Sequence, residues 1–191
     1  MKYLILILLI SGCSSQTVSD SKILYNEDFK WTIVIPDEFN SVSLSDWSEM
    51  QNKGADAIED TFGGKIINRS NLIFVFKNAE YNYLESNYQL FDKEIDGGYQ
   101  ESFENVNAIL YETFRTQIPG AEIVTSSSVE IISDLEFQTH TMKINLPNGL
   151  IMNMIIYSRL FGANDFTVNI VYVDESQGKK MLNAWKNSKF E

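Results

Sequence analysis

The chain has 191 residues, of which 44% are hydrophobic and 13% aromatic, with a single cysteine and a formal charge of -11. That apolar content supplies a core and excludes intrinsic disorder, while one cysteine excludes internal disulfides and cysteine metal clusters. The acidity excludes nucleic acid as a partner, because binding phosphates needs basic patches.

At the N-terminus, Lys2 supplies a positive charge, Leu4 to Ile10 form an unbroken apolar run, and Ser11-Gly12 place two small residues before Cys13. Together they predict a secretory signal peptide. The run falls well short of the roughly 20 apolar residues that a membrane-spanning helix needs. Ile10-Ser11-Gly12-Cys13 resembles the bacterial lipobox, and the resemblance implies that the Cys13 thiol carries diacylglycerol after the leader is cut away. Each buried methylene contributes about 0.8 kcal/mol, so two or three acyl chains anchor durably where one does not. The expected organisation is a signal peptide over 1–12, a lipidated cysteine and polar tether over 13–22, and one globular domain over 23–191. Fully extended, Ser14 to Lys22 reach at most roughly 30 Å, which keeps the domain close to its membrane. Ser14 is not the aspartate that retains some Gram-negative lipoproteins at the inner membrane, so the expected place is the outer membrane, facing the periplasm.

Trp31, Ile33 and Ile35 alternate with Thr32 and Val34 and stop at Pro36, the pattern of a strand. Leu44, Trp47, Gln51, Gly54, Ile58 and Phe62 recur at helical steps, with Asp46 and Glu49 as a capping box and Gly63-Gly64 as the stop. Asp37, Glu38, Asp46, Glu49, Asp56, Glu59 and Asp60 make this stretch a solvated acidic surface. Leu72 to Phe76 suit a strand covered on both faces, and Tyr83 to Phe91 a second, more exposed one. Tyr99, Phe103, Val106, Leu110 and Phe114 form a helical stripe that begins after Asp96-Gly97-Gly98 and ends at Pro119-Gly120. Strands then follow over 122–132, 135–146, 150–161 and 165–173, separated by turn sequences too short for crossovers. They predict an antiparallel meander. Asp174 and Gln177 cap a last helix that turns Met181, Leu182 and Trp185 inward, and Lys179, Lys180, Lys186 and Lys189 give it a cationic face.

Trp31-Thr32-Ile33-Val34-Ile35-Pro36-Asp37-Glu38-Phe39, the central helix, the four-strand meander and the ending Ser188-Lys189-Phe190 together resemble the PsbP-like family over roughly residues 23 to 190. That family includes an extrinsic subunit of the photosystem II oxygen-evolving complex, a Ran-binding nuclear transport factor and many bacterial lipoproteins. The resemblance implies an α+β fold in which an antiparallel sheet is flanked by helices on both sides, an α/β/α sandwich. It carries no catalytic residue over, and fold alone does not fix function.

The residues themselves offer little chemistry. His140 is the only histidine and stands in a strand context without a nucleophile motif, so no acyl-transfer site is expected. Gly63-Gly64 and Gly97-Gly98 lack the Walker lysine and the dinucleotide spacing. No catalytic residue and no cofactor are expected. Asp92, Glu94 and Asp96 with Gly97 match the first half of a calcium loop, but the twelfth position is Phe103 where a bidentate Glu belongs. The competing reading is a helix cap. Tyr81, Tyr83, Tyr88 and Phe91 either line a ligand groove or pack within strands. Two functions stay open: a non-catalytic module that binds or assembles an envelope protein near the membrane, and a lipoprotein that binds a small ligand or calcium ion. A hydrolase ranks third. An enclosed pocket with convergent polar groups supports the second, and an exposed apolar patch the first.

Overall fold

The structure is a computed structural model that describes residues 22–65 and 68–191; the expected signal peptide, Cys13 and the expected tether up to residue 21 lie outside the described residues. The chain opens with three strands, β1 (Lys22–Asn26), β2 (Trp31–Ile35) and the two-residue β3 (Asn40–Ser41), then α1 (Leu44–Phe62). β4 (Asn71–Ala79), β5 (Asn82–Leu90), the single turn α2 (Lys93–Asp96) and α3 (Tyr99–Gln117) follow. The meander comprises β6 (Glu122–Ile132), β7 (Leu135–Asn145), β8 (Ile151–Phe161) and β9 (Asn164–Tyr172), and α4 (Glu175–Lys186) and β10 (Lys189–Phe190) close the chain. Lys22, assigned above to the tether, is the first residue of a strand that has no alternating apolar signal of its own; its pairing with Ile35 of β2 holds it there.

Seven strands form one antiparallel sheet in the order β3-β4-β5-β9-β8-β7-β6, and β1-β2-β10 form a second, smaller one. The meander matches its expected bounds to within a residue, because short turns leave consecutive strands no alternative but to pair. Ser133 and Asp134 both take positive φ, 50° and 63°, as a two-residue hairpin turn requires. β5, expected to be the more exposed strand, lies instead between β4 and β9 with Asn82, Leu84 and Ser86 buried. Its polar alternation reflects a polar interior and not solvent.

The large sheet has two different faces. Phe166, Val168, Ile170 and Tyr172 of β9 join Phe76, Leu84, Phe137 and Tyr157 in a core closed by α4 and the small sheet. Trp31, Phe166, Phe137 and Trp185 meet there mostly edge-to-face, with Trp31 and Phe166 centroids 5.2 Å apart at 85°, the arrangement that ring quadrupoles prefer. On the opposite face, Met142, Ile144, Met152 and Val171 pack with Leu110, Tyr111 and Phe114 of α3. Helices therefore flank the sheet on both sides, as the α/β/α arrangement requires.

α1 begins three residues before the expected capping box. Ser43 is the N-cap and its hydroxyl accepts from the Asp46 amide, while Gly63 ends the helix at φ 73°. The α4 cap is as expected in part: Asp174 accepts from the Ser176 and Gln177 amides. The Gln177 side chain, however, reaches out to Glu38, 3.0 Å away. Lys180 also pairs with Glu38, and Lys186 with Glu130, so part of the cationic face binds the acidic surface of the same domain.

Candidate functional site

The α3 side of the large sheet is unusually polar for a covered face. Asn87 of β5, Asp165, Thr167 and Asn169 of β9, and Ser158 of β8 all line a recess of about 190 Å³ beneath α3. The strand period of two explains the choice, since the alternate residues of the same strands are the apolar ones that fill the opposite core.

Asp165 anchors one end of this recess. Ser158 Oγ donates to its Oδ1 at 2.6 Å, and Tyr99 Oη, the first residue of α3, donates at 3.3 Å. Tyr99 and Ser158 hydroxyls also lie 2.7 Å apart. Burial raises the Asp165 carboxyl above its usual range even though Ser158, Tyr99 and Gln89 bond its charged form. The same burial, with the Asp165 charge added, pushes the Tyr99 phenol upward.

Asn107 marks the middle of the cleft. At 4% exposure its Nδ2 and Oδ1 both lack a partner, and it borders both the Asp165 recess and a second one of about 340 Å³ on the β6 and β7 side. An unpaired buried amide costs roughly 1–3 kcal/mol. Phe103, Asn107, Leu110 and Phe114 follow the 4-3-4 spacing of one helical stripe, so Asn107 occupies the inward position. Val106, read above as part of the stripe, is 49% exposed.

His140 faces Asn107 across the second recess. It sits opposite Ser127 in the β6–β7 register, and that pairing brings Ser127 Oγ within 2.8 Å of its Nδ1. Nε2 is buried without a partner, and burial lowers the imidazole pKa. A serine beside a histidine suggests acyl transfer, but here the contact is a consequence of flat cross-strand pairing. Among the described residues no carboxylate bonds Nε2, the second ring nitrogen, to orient the ring, as a triad requires.

A third, more apolar chamber of about 280 Å³ adjoins the Asp165 recess, sharing Leu110, Ile156 and Asn169, and extends under α1. Trp47 packs there edge-on against Tyr83 at 4.9 Å. Gln51 closes over it by donating to Glu85 at 3.0 Å.

The residues singled out from sequence fall elsewhere. Asp92 caps α2 by accepting from the Glu94 amide, and Asp96 accepts from the Asp92 amide at 2.7 Å, so these carboxylates serve their own turn. Among the described residues no group of three or more His, Cys, Asp or Glu side chains is placed to hold a metal ion. The tyrosine cluster separates: Tyr83 enters the third chamber, Tyr88 packs on Phe29 in the other core, Tyr81 is exposed in a turn, and Phe91 meets Tyr99. Cys13 lies outside the described residues. The polar cleft had one readable signal, an asparagine inside an apolar helical stripe; the convergence of β5, β8 and β9 upon it depends on strand order.

Sheet order, the two flanking layers and the terminal strand-helix-strand define a PsbP-like α+β fold. Among solved structures the chain is similar to the solution structure of cyanobacterial PsbP (CyanoP) from Synechocystis sp. PCC 6803, with a TM-score of 0.56 over 95% of this chain and 99% of that one. Identity is 8%, so the likeness concerns the fold alone. No family model matches the sequence, and no curated protein does. Among the described residues no helix is long and apolar enough to cross a membrane.

Proposed function

We propose that the protein is an envelope lipoprotein, anchored through Cys13, whose domain binds a small molecule in the cleft beneath α3 without transforming it. The observation that carries the binding reading is the pair Asn107 and His140: two buried side chains on facing elements, with unpartnered polar atoms lining the same recess. Buried polar groups normally find partners, and a ligand offering both a donor and an acceptor supplies them. Among the described residues no lysine or arginine lines either polar recess, while Asp165, Glu104 and Glu112 do. The ligand is therefore uncharged or cationic, and any apolar portion fits the chamber bounded by Trp47 and Tyr83. Native mass spectrometry of the full-length protein, extracted gently from its envelope, tests this. The wild type retains a small noncovalent adduct and Asn107→Leu loses it; an adduct equally retained by both overturns the site. The same spectra read the anchor, because lipidation adds a diacylglyceryl mass to Cys13.

The assembly reading has one observation in its favour. β6 is an eleven-residue edge strand with no lysine, arginine or proline, and it exposes Val124, Val129 and Ile131. Such an edge accepts an added strand. A pull-down from crosslinked envelopes, compared between wild type and Ser128→Pro with Cys13→Ala as the unanchored control, separates this from ligand binding.

A further inference from the structure

We propose that the outward face of the β1-β2-β10 sheet rests on the bilayer that holds the lipid of Cys13, an inference that builds on the anchoring reading above. Trp31, Ile33 and Ile35 of β2 point into the core, so Thr32 and Val34 point away from it. Ile23 pairs with Val34, while Tyr25 and Lys189 both pair with Thr32. Residues directly opposite share a face about 5 Å apart, and the outer face therefore carries Ile23, Tyr25 and Val34 side by side. They are 63%, 53% and 45% exposed. Isolated apolar residues on a surface are ordinary, but a contiguous group marks a contact.

The position of the chain says what meets this face. Lys22 opens β1, so Ile23 stands two residues beyond the end of the tether. Ser14 to Ser21 span at most roughly 26 Å. A tether this short presents the face to its own membrane at about millimolar effective concentration, and weak affinity then suffices. Tyrosine favours the headgroup level, and the two aliphatic side chains favour the region just beneath it. The ammonium group of Lys189, which shares the outer face through its pairing with Thr32, flanks the patch where it meets lipid phosphates. Lys22, paired with the inward Ile35, turns away to the Phe39 carbonyl and Asn40. Glu27 and Asp28 lie in the turn at the far end of the hairpin. Three side chains cover far less than the ~800 Å² per partner of a standard protein interface, which argues against a second copy as the occupant.

Cys13 is the only cysteine and its thiol is taken by lipid, so a new cysteine is labelled alone. The full-length lipidated protein carrying nitroxide-labelled Val34→Cys, with Tyr25→Cys as a second position, is reconstituted into vesicles of phosphatidylethanolamine and phosphatidylglycerol. Ile131→Cys on β6 is the reference. Membrane contact makes the ratio of oxygen to nickel-chelate accessibility several-fold higher at 34 and 25 than at 131. Equal ratios at all three overturn the proposal, as does spin-spin broadening at 34, which signals a second copy. An intact mass without diacylglycerol overturns the anchoring reading and this one with it, whereas a lipidated protein with water-exposed labels overturns the membrane face alone.

Discussion

Ser158 and Asp165, diagonal neighbours on β8 and β9, share a 2.6 Å hydrogen bond that holds a carboxylate under α3 with no cation among its bonded partners. Burial raises its folded pKa above the ordinary value of 3.8. The folded state thus binds more proton than the unfolded state between those two values, and stability falls as pH rises through that window. Asp165→Asn keeps an acceptor for Ser158 and Tyr99 but has no charge. Urea unfolding is expected to show the variant gaining on the wild type at pH 7 relative to pH below 3.8. A stability difference independent of pH contradicts this.

Asn107→Leu is expected to move stability and binding in opposite directions. Replacing an unsatisfied buried amide with an apolar side chain of similar size stabilises by about 1 kcal/mol. Chemical denaturation of wild type and variant, read beside adduct retention, checks both. A variant that is less stable points to a partner for Asn107 within the fold.

As the only histidine, His140 gives a single imidazole signal by NMR. Burial holds its folded pKa below 6.5, so the unfolded chain binds the extra proton first on acidification. Its contribution to stability is complete above pH 6.5 and is lost as pH falls toward the folded value. His140→Gln removes that part of the pH dependence. An imidazole titrating above 6.5 refutes the assignment.

Gly178 of α4 faces the ring of Tyr172. A Cβ there falls 2.5 Å from Cδ2, closer than any packed contact allows. Helix propensity alone favours alanine by about 1 kcal/mol, yet Gly178→Ala is expected to lower stability by ~1–3 kcal/mol through overpacking. In a Tyr172→Leu background the same change costs less, as a double-mutant cycle by thermal unfolding will show.

The fold was more legible than the site for a physical reason. Strand alternation around Phe166 and the stripe from Phe103 to Phe114 are local periodicities, and turns such as Ser133-Asp134 announce themselves by residue type. β1 has no such mark, since Ile23 and Tyr25 alternate outward and only the pairing with β2 makes it a strand. β5 misled for the opposite reason: Tyr83 to Phe91 read as a more exposed strand, yet Leu84 and Ser86 are buried, and Asn82 just before them is buried too, accepting from the Val173 and Asp174 amides. The cleft unites residues 99, 107, 140, 158 and 165 from four elements, and no spacing along the chain joins them. The acidic 92–97 segment was visible because its residues are contiguous, which is also why they satisfy one another.

β10 pairs with β2, and Phe190 stacks on Trp31 at 6.0 Å. The ribosome makes Trp31 long before Phe190. Until Lys189 and Phe190 arrive, the aromatic core has an open side and β2 an unfilled edge, so a growing chain has no finished state to settle into. Closure therefore waits for β10. For a chain exported as proposed above, such timing is a gain, because a chain that is slow to close stays threadable until it has crossed.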